Sequence, residues 1–178
     1  MTHPIQHSPL RFAIESSRRS LDLARRLLTG IEPRRFARLP VVGGVTVNTN
    51  HPAFIYGHLS LYPAIILDLC GLDARPAGVP DGFEPRFQRD SACVDDPGGA
   101  VYPSMDVITS AFFSGYGHLL AALPGVTLEV LDRPTRHARL AATFPTVGFA
   151  TTFLMGNHVA THLGQVSAWR RCMGLGRA

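Results

Sequence analysis

Four stretches of this chain repeat apolar residues at steps of three and four, and that period limits the possible folds more than any other feature. Such steps line side chains along one stripe of an α-helix, whereas a strand needs steps of two. Over residues 9–30 the stripe is Leu10, Ile14, Ser17, Leu21, Ala24, Leu28 and Ile31, with Gly30 and Pro33 as the stop. Over 51–69 it is Phe54, His58, Leu61, Ile65 and Leu69. Asn50 is the expected N-cap there, Pro52 stands in the first turn, where its missing N–H costs nothing, and Gly71 follows the end. Pro63 lies inside that pattern and removes the bond to Leu59, so a bend is expected about one turn after His58. Over 104–122, Ser104 caps, Asp106 complements the helix dipole, and Ile108, Phe112 and Leu119 form the apolar side before Pro124-Gly125. Over 146–172, Thr146 caps, Gly174 stops, and Leu154, His158, Thr161, His162, Gln165 and Trp169 share a face.

The connections are long. Residues 32–49 contain Val41-Val42-Gly43-Gly44-Val45-Thr46-Val47, expected as a short extended piece, and Val126 to Leu131 is expected as a short strand. Residues 71–103 are rich in Pro, Gly and Asp; a loop of that length in a compact domain is usually functional, and here it is expected to help form a pocket mouth. The sum is one all-α domain over residues 1–178, built from four helices with elaborated crossovers.

Several classes are disfavoured. No apolar run reaches the ~18 residues of a membrane span, and the start, Met-Thr-His-Pro-Ile-Gln-His, lacks the basic-then-apolar pattern of a secretory signal, so a cytoplasmic protein is expected. Cys70, Cys93 and Cys172 make a poor disulfide framework and a poor cysteine metal site, and are expected as reduced thiols. The formal charge is +4 and every Lys/Arg position is Arg. The pairs Arg18-Arg19, Arg25-Arg26, Arg34-Arg35 and Arg170-Arg171 carry no interleaved aromatics and no DNA-binding motif, so solvated helix faces are expected over a nucleic-acid surface.

The chemistry-bearing residues are histidines. His158 and His162 are four apart, one turn on one helix face, within reach of a single ion; His58 lies on the apolar face of another helix. Three imidazoles leave coordination positions open, the pattern of a catalytic rather than a structural site. The competing account is ordinary core histidines, each with a satisfied hydrogen bond. The segment His158-Val159-Ala160-Thr161-His162 lacks the Glu of the zinc-protease helix, and no E-x-x-H pair of the di-iron bundles occurs.

The stretch from Asn157 through His158, His162, Gln165 and Trp169 to Arg171 resembles the last helix of the DinB/YfiT superfamily, with its H-x-x-x-H, a following Gln and then Arg. Tyr56-Gly57-His58-Leu59 resembles that family's second-helix motif. The resemblance implies a four-helix bundle in up-down-down-up order with long crossover loops. It implies one divalent metal, zinc or nickel with iron or manganese as alternatives, held by His58, His158 and His162. Gln165, one turn beyond His162, would orient a ligand or face substrate, or else hydrogen-bond in the core. Tyr62 could bring its hydroxyl to the site, although packing is the simpler expectation for it and for Trp169. His51, His118 and His137 fall outside the motif and are expected at the surface.

Relatives of this type are thiol S-transferases or metal-dependent hydrolases, and some are dimers, so the resemblance implies a small-molecule substrate, a low-molecular-weight thiol among the candidates, and a homodimer as an option. A three-His metal lowers the pKa of bound water to ~7 and equally favours a thiolate, so transferase and hydrolase stay open. The rival is a non-catalytic metal- or ligand-binding stress-response protein.

Overall fold

The structure is a computed structural model that describes residues 8–178; the first seven residues, on which the expectation about a secretory signal rests, lie outside the described part. The chain is mostly helical. Its elements are α1 (Arg11–Leu28), a hairpin of β1 (Val41–Val42) and β2 (Val45–Thr46), α2 (Pro52–Ser60), α3 (Tyr62–Leu69), α4 (Phe83–Phe87), α5 (Met105–Ala122), α6 (Leu128–Leu131), α7 (Ala138–Ala141), α8 (Val147–Met155) and α9 (Asn157–Cys172). β1 and β2 pair antiparallel, Val41 opposite Thr46, around Gly43 and Gly44, both at positive φ.

α2 is the centre of the packing: all nine of its residues are buried. It lies along α5 and against α9, while α1 packs on α9 and α3 packs on α5 and α8. Tyr56 of α2 shows the fit, its ring edge-on to Phe112 of α5 at 5.0 Å and its hydroxyl donating to the Ala24 carbonyl of α1 at 2.6 Å. Each such large side chain contributes about 1.5–3 kcal/mol by leaving water. The buried stripe of α1 is Ile14, Ser17, Leu21, Ala24 and Leu27; Leu27, not Leu28, takes the inner place at the last turn.

Two of the expected helices are broken. The second divides at Leu61, where Pro63 in the first turn of α3 cannot donate to Leu59. The fourth divides at Gly156, which has φ −109° and ψ −90°, directly before the histidine helix. There the Met155 carbonyl accepts the Ser17 hydroxyl of α1 at 2.8 Å. The cap of α2 is His51 rather than Asn50: its Nδ1 accepts from the Phe54 N–H at 3.2 Å. Residues 126–131 are not a strand; the Thr127 hydroxyl accepts from Val130 N–H and starts the short α6 instead. Thr146 and Ser104 cap α8 and α5 as expected.

The segment Met105–Gly125 is long and apolar enough to cross a membrane, with a mean hydropathy of 1.2 over its best window, contrary to the expectation from unbroken apolar runs. Its buried side chains, Ile108, Phe112, Tyr116, Leu119 and Leu120, belong to the same core as α2 and α3, the pattern of a central helix.

Candidate metal centre

Burial of the whole of α2 places His58, 5% exposed, inside the protein, facing the first turns of α9. His158 and His162, four apart on α9, meet it from the other side. His158 Nε2 lies 3.2 Å from His58 Nε2 and 3.2 Å from His162 Nε2. The three rings stand edge-on to one another, with centroids 4.7–5.2 Å apart. Together they form a group that can hold a metal ion.

The far side of two rings fixes their tautomers. His58 Nδ1 is 2.7 Å from the Phe87 carbonyl oxygen, an acceptor only, so Nδ1 carries the proton and Nε2 presents its lone pair inward. His162 Nδ1 is 3.0 Å from Gln165 Oε1, which also accepts from Asn50 Nδ2 at 3.3 Å; its Nε2 likewise faces inward as a lone pair. His158 Nε2 thus stands between two acceptors. The His158 N–H can donate to one of them and the Tyr62 hydroxyl, 3.3 Å from His58 Nε2, to the other, while His158 Nδ1 is buried without a hydrogen-bond partner among the described residues. A divalent cation between the rings would take all three Nε2 lone pairs at once. Two ligands ~2.0–2.1 Å from a common ion at an angle of about 100° are separated by the distance seen here.

Burial keeps these imidazoles neutral, as ligands must be. It pushes His58 down to about 4 and His158 down to about 3, with the neighbouring histidines adding to the effect, and it lowers His162 too.

The segment 71–103 serves the site from behind. α4 docks on α2 with the Phe87 ring against Gly57, where any Cβ would overlap the ring, and this close approach delivers the Phe87 carbonyl to His58. Further along, Val94 accepts from His51 Nε2 at 2.9 Å. Asp96 gathers the N–H groups of Ala100, Val101 and Tyr102, so much of this segment is tied down.

Tyr62 reaches the site. Its hydroxyl is 3.3 Å from His58 Nε2, and its ring centroid is 4.3 Å from that of His158. Phe153 stacks beside His158 at 6.4 Å. Gln165 touches His162 as described, whereas Trp169 is fully buried and donates to the Arg38 carbonyl at 2.7 Å, a packing role. His51 is buried, contrary to the surface placement expected of it; His118 is exposed and His137 half-buried. The three cysteines are free thiols. Arg170 is no solvated residue: 4% exposed, it donates to the Leu27 and Thr29 carbonyls at the end of α1. Phe87 as a partner of His58 left no trace in the sequence, because a backbone carbonyl carries no side-chain signature; Asn50 was visible there only as a cap.

Comparison of the chain with protein-family models, curated proteins and solved structures gives no match.

Proposed function

We propose that this chain is a metal-dependent enzyme of the DinB/YfiT type, a four-helix bundle whose centre of His58, His158 and His162 binds one divalent metal, zinc or nickel, and activates a thiol or water against a small molecule. The observation that carries this reading is the convergence of three imidazole nitrogens, the His58 and His162 Nε2 atoms each 3.2 Å from His158 Nε2 and all three within 4.8 Å of one another, two of the rings with their Nδ1 protons committed elsewhere. The packing of α1, the α2–α3 pair, α5 and the α8–α9 pair around one core supports the bundle.

Bound there, the metal would supply Lewis acidity, favouring the deprotonated form of a thiol or water at neutral pH. The chain's own residues do the rest. Phe87 and Gln165 hold two imidazoles in the ligating tautomer and fix their planes. Tyr62 holds a phenolic proton at the edge of the centre, within hydrogen-bond reach of a group that enters there. Tyr62 and Phe153 give that edge aromatic walls beside His158. Three histidines with no fourth protein ligand in the group leave positions for substrate.

Metal analysis of the purified protein, with a screen for thiol conjugation of a generic electrophile and for ester hydrolysis, tests the proposal. The expected result is one metal per chain and metal-dependent turnover in one of the two assays. Stoichiometric metal without turnover in either would favour a non-catalytic metal binder.

A further inference from the structure

His58 and His162 are held from behind by different kinds of partner. His58 Nδ1 faces the Phe87 carbonyl, which accepts and cannot donate, so the neutral ring has one tautomer open to it. His162 Nδ1 faces the side-chain amide of Gln165, at 3.0 Å. An amide has an accepting end and a donating end. Showing Oε1, it takes the Nδ1 proton and leaves His162 Nε2 as a lone pair. Showing its N–H, it would claim the Nδ1 lone pair and put the ring proton on Nε2, where a ligating nitrogen carries none. The end that Gln165 shows therefore decides whether His162 can ligate.

Gln165 does not choose that end alone. Its Oε1 also accepts from Asn50 Nδ2 at 3.3 Å, and neither carboxamide makes a further hydrogen bond among the described residues. If Gln165 turned by itself, its N–H would meet the N–H of Asn50, so the two amides reverse together or not at all. Asn50 is held in place by its neighbour: His51 caps α2 through Nδ1 and bonds the Val94 carbonyl through Nε2. Asn50 and Gln165 are both half-buried, which limits the water that could stand in for either.

We propose that Asn50 is a positioning residue for the three-histidine centre: by donating to Gln165 it keeps the Gln165 oxygen on His162 and so keeps His162 Nε2 free to ligate. This rests on the metal-dependent function proposed above, and it adds to the centre a residue from the connection that precedes α2.

Two substitutions that each install a carboxylate test the relay, because a carboxylate accepts and does not donate. Asn50→Asp should turn the Gln165 amide, N–H toward the new carboxylate and toward His162, and reverse the His162 tautomer. Gln165→Glu keeps an acceptor facing both Asn50 and His162 and should leave the tautomer as it is. Charge alone would make both variants bind a cation more tightly; the relay requires opposite behaviour. Zinc affinity, read by competition with a chromogenic chelator, is expected to fall about tenfold in N50D and to stay at least equal to the parent's in Q165E. The second readout needs no metal. Two-bond proton–nitrogen correlation spectra of the metal-free protein at neutral pH, with His162 identified by its loss in His162→Ala, should show Nδ1 protonated in the parent and in Q165E, and Nε2 protonated in N50D. Asn50→Leu, which removes the donor without adding charge, should leave His162 as a mixture of both tautomers. N50D is expected to fold, since a negative charge suits the start of α2. A His162 tautomer unchanged in both Asn50 variants, or an N50D protein that binds zinc as tightly as the parent, would overturn this inference and leave the metal site standing. A parent protein that binds no zinc would overturn the metal reading instead, and the tautomer comparison would still decide the relay.

Discussion

Gly57 makes room for the Phe87 ring, and that close approach brings the Phe87 carbonyl within 2.7 Å of His58 Nδ1. A glycine in the middle of a fully buried helix ordinarily weakens it. Here the missing side chain lets α4 sit on α2 and set the orientation of His58.

Gly57→Ala should therefore damage the proposed metal centre from the rear. A Cβ would overlap the ring, so the buried Phe87 ring must shift, and α4 is expected to shift with it and carry the carbonyl away from His58. The expected cost is about 1–3 kcal/mol of stability from overpacking, read by denaturant unfolding. Metal affinity should fall by roughly 10–100-fold, read by competition with a chromogenic chelator. Unchanged affinity would show that the Phe87 carbonyl does not orient His58.

Gln165 offers a milder perturbation of the same kind. Its Oε1 joins His162 Nδ1 to Asn50 Nδ2. Gln165→Leu keeps the side chain's size and removes the acceptor, freeing the His162 ring to change tautomer. Metal affinity should drop about 10–100-fold with little change in stability, since the group is only partly buried. His162→Ala, by contrast, removes a ligand and should take metal content from one per chain to background, measured by elemental analysis after dialysis.

Much of this centre was legible beforehand, because helical spacing is a strong constraint. The step of four between His158 and His162 fixes a common face on α9, and the place of His58 in the apolar stripe of α2 turns it inward; these are the rings whose nitrogens converge. What escaped notice was set by backbone and by context. The carbonyl of Phe87 is the same atom in any residue, so only the fold could nominate it. His51 read as a surface residue because a lone polar side chain beside a helix start has many uses; capping α2 through Nδ1 while bonding Val94 through Nε2 makes it a buried one. Val126 to Leu131 has strand-like composition, yet the Thr127 cap overrides that preference and starts a helical turn. Gly156 stood in plain view within the fourth helix, and single glycines are often tolerated there.

Gly156 invites its own substitution. A Cβ at this position would lie 2.9 Å from the Thr152 carbonyl oxygen, which accepts the Gly156 N–H. Gly156→Ala should shift α9 relative to α8, and with it His158, the first histidine after the break. The expected outcome is weaker metal binding with far-UV circular dichroism nearly unchanged, because both helices persist while their junction alters.

Acidity should act on the metal-free protein through the same three rings. The folded-state pKa of His58 is pushed down to about 4 and that of His158 to about 3, against an ordinary value of 6.5, and burial is the main cause in both. Below pH 6.5 the unfolded chain takes up protons at these positions that the folded protein refuses, so stability falls as pH drops. The loss should begin near pH 6.5 and continue toward pH 4, with a steepest slope of about 1.4 kcal/mol per pH unit for each histidine involved. Above pH 7 these groups are neutral in both states and contribute no slope. Metal loading should steepen the acid side, since protons then compete with the ion for the same lone pairs. Urea unfolding of the metal-free protein and of a His58→Phe/His158→Phe variant, compared between pH 4.5 and 7.5, checks this: the variant should lose most of the slope. A parent protein equally stable at both pH values would mean that these imidazoles are solvated well enough to ionise where they stand.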